Sequence, residues 1–292
     1  MGTSSILAWA LDLKPSKDNY WSTGLQPGSA FNRRGPYPSF LNDTHEPYNE
    51  MQSAISSYTT AQVAPSDGIG FSNASLINMA CRSDGKLLQP SAPARAIDAS
   101  FAFPGSGGPV NHVQNVHAVM ATHSLMGGLK WAHVLTIGLN ASFSLHPKHL
   151  NDDFTPQQPA IAWTGYQPSD SVGKRPANVT LLGAFSDDKP LVLPACAYSN
   201  FGLYHIAPIH PLSKMVFLGE IGKWVPIAAD RVTRVADSAT GLKVDVTGVE
   251  GEAVELAFAA SLTATAATSV VCKLGPTAVA TASFDGKAAT CS

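Results

Sequence analysis

Apolar residues recur at helical spacing in the first part of the chain and alternate in the remainder, with the change near residue 99. Ile6, Leu7, Ala10 and Leu11, with Trp9 and Leu13, follow the capping candidates Thr3, Ser4 and Ser5, and predict an amphipathic helix. A short β-favouring run, Tyr20 to Thr23, is closed by Gly24 and the Pro27-Gly28 turn signal. Pro36, Pro38 and Pro47 make the next stretch a loop; beyond it a helix fits Glu50 to Tyr58, a strand Ala61 to Ala64 and a helix Ser75 to Cys81. Strands alternating with helices imply parallel pairing with crossover helices, and such sheets place their sites at strand C-terminal ends.

Past residue 99 the period is two. Leu242, Val244 and Val246 share one face and Lys243 and Asp245 the other; after "TGVEGE", Val254, Leu256 and Phe258 repeat the alternation, which reads as an antiparallel hairpin. Similar short runs at "WAHVLTIGL", "AIAWTGY", "NVTLLGAF", "NFGLYHIAP", "KMVFLGE" and "SVVCKLG" predict a β-sandwich. The stretch Pro104 to Pro109 reads as a flexible loop, and no internal repeat is visible.

Composition narrows the function classes. Charged residues are 14% of the 292 and the net charge is −2, so no basic field exists to hold phosphates, and nucleic acid is not an expected partner. No apolar run reaches membrane-spanning length, and the early "ILAWALDL" lacks a basic lead-in and contains Asp12, which fits neither an anchor nor a signal peptide. Of four cysteines, only Cys272 and Cys291, in one β-rich segment, are plausible disulfide partners. Asn42, Asn73, Asn140 and Asn178 each open an Asn-X-Ser/Thr acceptor, which suits a secreted protein but also arises by chance in a Ser/Thr-rich chain, so the compartment stays open.

An apolar run ending in Ser66-Asp67-Gly68-Ile69-Gly70 leads to Leu76-Ile77, Asp84-Gly85, Leu87-Leu88-Gln89-Pro90 and the Arg95 to Asp98 exit. This succession resembles the last barrel strand and exit of the raffinose synthase and alkaline α-galactosidase group, within glycoside hydrolase family 36. "LYHIAPI" with "LGEIGKWVPI" resembles a segment near that family's C-terminus. The resemblance implies an α/β plus all-β chain: the last two β/α units of a (β/α)8 barrel in residues 1–98, an antiparallel β-sandwich in 99–262 and a β-rich extension in 263–292. The implied parent activity is α-galactoside hydrolysis or galactosyl transfer. Both catalytic aspartates of such an enzyme are then expected upstream of Met1, the missing N-terminal barrel portion is a possible partner, and the chain alone is expected to be inactive.

Retaining glycoside hydrolysis needs two carboxyl groups about 5 Å apart, and the sequence offers a single strand-end carboxylate, Asp67. Asp67, Trp21 and Gln26 are the candidate sugar-binding residues, since an aromatic face and polar groups at neighbouring strand ends suit a pyranose. Asp67 serves equally as an N-cap or turn former, and Trp21 as a packed core residue. A metal or other cofactor is not expected: His112 and His117, His146 and His149, and His205 and His210 sit at spacings that gather no third ligand, and "SDGIG" and "GSGGP" lack phosphate-loop chemistry. The alternative to the glycosidase reading is a non-catalytic carbohydrate-binding or structural β-sandwich protein.

Overall fold

The computed structural model describes residues 11, 14, 16–24, 26, 48–99, 118–150, 156, 158–166 and 179–292. Its main element is a six-stranded sheet in the order β1-β2-β3-β8-β5-β6, antiparallel at every pairing. The strands are β1 (Arg95–Ala96), β2 (Val119–Met126), β3 (Leu129–Thr136), β5 (Ala160–Thr164), β6 (Thr180–Phe185) and β8 (Gly202–Pro208). Gly127 and Gly128, at φ 56° and 78°, close the β2-β3 hairpin. A two-residue turn with both central φ angles positive matches strand twist, and only glycine adopts it without strain.

One face of this sheet is covered by a two-stranded ribbon, β4 (Phe143–Leu145) with β7 (Leu191–Leu193), around Ala121, Val134, Ile206 and Leu145. The other face receives the N-terminal segment: Met120, Leu135 and Leu203 pack with Tyr20, Ala54, Tyr58, Leu76 and Trp224. A helix, α1 (Asn49–Tyr58), seats Tyr58 so that its hydroxyl donates to the Trp224 carbonyl at 3.0 Å. The Trp224 indole N–H and the Tyr20 hydroxyl both donate to Ser53 Oγ at 3.0 Å.

The chain ends in two facing sheets. One has the order β10-β11-β14-β15 and the other β13-β12-β9. Their strands are β9 (Val216–Glu220), β10 (Val232–Ser238), β11 (Gly241–Thr247), β12 (Ala253–Ala259), β13 (Thr268–Lys273), β14 (Val279–Phe284) and β15 (Ala289–Cys291). Strands beyond residue 262 therefore complete both sheets: β13 pairs with β12, and β14 with β11. A Cys272–Cys291 disulfide ties β13 to β15.

The expected pairing of β11 with β12 is not what forms. Leu242, Val244 and Val246 and their counterparts Val254, Leu256 and Phe258 are all buried, but they belong to opposite sheets of one core. The "TGVEGE" connection crosses between layers instead of closing a hairpin. Alternation fixes which side chains point inward and says nothing of whether the next strand lies beside or opposite.

The expectation of α/β plus all-β, with the last two β/α units of a (β/α)8 barrel in residues 1–98, is also overturned. The described residues are mostly antiparallel β, with two α-helices: α1 and the single turn α2 (Ala74–Ile77). Helix α1 matches the expected Glu50 to Tyr58, whereas the helix over Ser75 to Cys81 shrinks to α2. Among the described residues parallel pairing is confined to one bridge, Tyr20 with Pro65. Neither expected strand propagates, because Gln62 is exposed, Pro65 lacks an N–H, and Ser22 and Thr23 give their side chains to loop hydrogen bonds. A parallel strand must be apolar on both faces, and these runs are not. The helix expected over Ile6 to Leu13 and the Pro104 to Pro109 loop fall outside the described residues, apart from Leu11.

Candidate functional site

Two loops, one with residues 20–24 and 26 and the other with 65–73, are clasped through Asp67. Its Oδ1 accepts the Ser22 backbone N–H at 2.7 Å and the Gln26 side-chain amide at 2.6 Å, and its Oδ2 accepts the Ser22 hydroxyl at 2.5 Å. The Gln26 carbonyl oxygen in turn accepts Gly68 N–H at 2.7 Å, and Ser22 Oγ accepts Asn73 N–H at 2.7 Å. Thr23 Oγ1 donates to the Phe71 carbonyl and accepts from the Gln26 amide, each at 3.0 Å. Ser22 and Gln26 are buried, and Asp67 is half-buried.

The sequence-predicted site residues thus divide. Asp67 and Gln26, far apart in sequence, are in direct contact. Trp21 sits in the same loop, half-buried, next to Ser22. A carboxylate has about four acceptor positions; three are used here, which leaves one on Oδ2 for an incoming hydroxyl. Beside the clasp the loop is apolar and open, with Ile69 fully exposed and Phe71 partly exposed.

A second polar cluster was invisible in the sequence. In the register of β3 and β8, His133 stands opposite His205, and their Nδ1 atoms are 2.9 Å apart. Ser124 Oγ on β2 lies 2.9 Å from His133 Nε2, the Trp163 ring lies 4.6 Å from His205 at a 39° tilt, and the Tyr58 ring lies 6.2 Å from His133. One proton is shared between the two Nδ1 atoms, so one ring donates and the other accepts. Burial, reinforced by the nearby His123, lowers His133 from 6.5 to about 3. Burial and the His133 ring likewise hold His205 well below its ordinary value.

This Ser-His-His line has the hydrogen bonds of a nucleophile and base, but Ser124, His133 and His205 are all buried, and among the described residues no carboxylate orients the base. Among the described residues no three His, Cys, Asp or Glu side chains are placed to hold a metal ion. The line knits the sheet to the core.

A third cluster pairs two carboxylates. Fully buried Arg231 donates to Glu220 from Nε at 2.8 Å and to Glu252 from its two terminal nitrogens at 3.1 and 2.5 Å. Burial raises Glu220 above its ordinary value despite Arg231. Burial also pushes Glu252 up, but the Arg231 hydrogen bonds and charge, with Ser83 and Val249 N–H groups, outweigh it and bring it down to about 2. Carboxyls held apart in this way suit acid and base roles. Here the guanidinium fills the space between them that a sugar ring would need.

A cleft of about 380 Å³ lies between β5, β6 and β7, lined by Ala162, Leu182, Phe185, Val192 and Tyr204. Its only lining side chain with a polar group is Tyr204, too little to satisfy a polyhydroxylated ligand. The clasp offers a polyhydroxylated ligand more polar groups than this cleft does. The chain matches no protein-family profile and no curated protein.

Proposed function

We propose that this chain is a carbohydrate-binding, non-catalytic part of a family 36-like glycoside hydrolase. The sugar rests on the clasped loops carrying Trp21, Gln26 and Asp67. The parent activity is hydrolysis or transfer of α-galactosides, and the nucleophile and acid/base belong to another part of the protein. The observation that carries this reading is the state of Asp67: the carboxylate at the centre of the family-like Ser-Asp-x-x-Gly run is committed to three donors that fix two loops. A carboxylate so engaged positions neighbours and accepts one further hydroxyl, whereas a nucleophile needs a free oxygen facing the anomeric carbon.

The site is open, so affinity is weak, on the order of millimolar, or about 4 kcal/mol. Titrating the chain with galactose and raffinose by NMR is expected to shift the Trp21 indole and Gln26 amide signals. Trp21→Ala is expected to abolish those shifts while leaving the fold intact. The same preparation is expected to release no p-nitrophenol from the aryl α-galactoside. Turnover lost in Asp67→Asn would instead make Asp67 catalytic. A chain indifferent to every sugar tested would leave the clasp a structural brace.

A further inference from the structure

We infer that Asn140 is an acceptor for N-linked glycan and that the folded protein is built to carry the sugar there. Asn140-Ala141-Ser142 meets the Asn-X-Ser requirement, with X not proline. The three residues connect β3 to β4, and all three are exposed. Buried residues pin the connection at both ends. On one side Leu139 bridges Cys196, whose N–H donates to the Leu139 carbonyl at 2.9 Å; on the other Phe143 begins β4. Among the described residues no hydrogen bond engages the Asn140 amide or the Ser142 hydroxyl, so the tripeptide is a surface bow with its reactive groups outward.

The other described acceptor is a contrast. Asn73 is half-buried, its Oδ1 accepts Leu76 N–H as the cap of α2, and its own N–H donates to Ser22 Oγ within the clasp. A glycan on Asn73 would have to displace the loops that Asp67 holds, whereas a glycan on Asn140 displaces nothing. Asn42 and Asn178 lie outside the described residues.

The compartment is argued independently by the Cys272–Cys291 disulfide. Structural disulfides persist in oxidising compartments, where N-glycosylation also takes place. The transfer itself takes a polyprenyl-diphosphate-linked oligosaccharide as donor. The Asn140 side-chain nitrogen forms a bond to the anomeric carbon and loses a proton, while the bond from that carbon to the diphosphate oxygen breaks and the lipid diphosphate leaves.

The test directs the full chain into the secretory pathway of a eukaryotic cell behind an added leader. Both secreted and retained protein are collected, and glycan is removed with an amidase that converts each glycosylated asparagine to aspartate. Peptide mass spectrometry is expected to find that conversion at Asn140 and not at Asn73. Asn140→Gln and Ser142→Ala are each expected to remove it, and Ser142→Thr to keep it. A non-reducing digest of the same sample reports the Cys272–Cys291 bond and so confirms that folded protein was assayed. Disulfide-bonded protein with an unmodified Asn140, or with Asn73 modified in its place, would overturn the inference.

Discussion

The residues with the most pH-dependent consequence are His133 and His205. A second proton on the pair would set two N–H groups face to face at 2.9 Å inside the core. His133 binds its proton near pH 3 when folded and near 6.5 when unfolded, so between those values the unfolded chain holds more protons. Its contribution to stability is complete above pH 6.5 and drains away as pH falls toward 3. The thermal midpoint is expected to drop already between pH 6.5 and about 5.5, above the range in which Glu252 takes up a proton even in the unfolded chain. His133→Gln is expected to make that limb shallower without removing it, because burial also lowers His210, to about 4, and calorimetry across the range can show the difference. None of this was legible in the sequence. His133 and His205 meet because β3 and β8 are neighbours in a particular register, and no spacing rule within one element reaches across 72 residues. Asp67 and Gln26 were grouped because both were placed at the ends of neighbouring barrel strands; that barrel does not form, and they meet through a contact between two loops instead.

At the scale of elements, the individual β-strands could be read and their neighbours could not. The alternation around Leu242 to Val246 and Val254 to Phe258 correctly marks inward side chains, yet the two strands lie in opposing sheets. Cys272 and Cys291 were the plausible disulfide partners in the sequence because they share a β-rich segment, and the bond that forms has a clear mechanical task. It joins β13 of one sheet to β15 of the other, with a separation of 19 residues. A closed loop of that size restricts the unfolded chain enough to stabilise by about 3 kcal/mol. Cys272→Ser with Cys291→Ser is expected to lower the urea midpoint by a corresponding amount with an unchanged fold. A circular dichroism spectrum that keeps its β signature, alongside the shifted midpoint, checks both parts.

For the molecule as a whole, the question is what fastens the N-terminal segment to the terminal sheets. Lys223 donates to the Asn78 and Cys81 carbonyls at 2.7 Å each, and Ser83 N–H reaches Glu252 Oε1 at 3.1 Å. Arg82 reaches the Asp230 carbonyl at 2.9 Å. Arg231, holding Glu220 and Glu252, sits behind this seam, and its loss would leave buried Glu220 with only the more distant Lys223, at 4.0 Å, and Glu252 with only backbone N–H groups. Arg231→Ala is therefore expected to destabilise by about 3–5 kcal/mol. Hydrogen exchange is expected to quicken first at Ser83 and Val249, whose amides Glu252 holds. The barrel-like reading of residues 1–98 failed at this scale. Short strand and helix signals in alternation say nothing of the partner surface, and here that surface is an antiparallel sheet offering Met120, Leu135 and Leu203.

The order of strands in the terminal sheets bears on how the protein is made. Strand β11 is flanked by β10, its immediate predecessor, and by β14, which begins only at Val279. While the ribosome is still adding residues 248–278, β11 can pair with β10, but its other edge has no partner. At translation speeds of about 5–20 residues per second, that edge is bare for seconds, open to the same edge of a neighbouring nascent chain. Only Val279 to Cys291, the strands β14 and β15, close that edge of the layer.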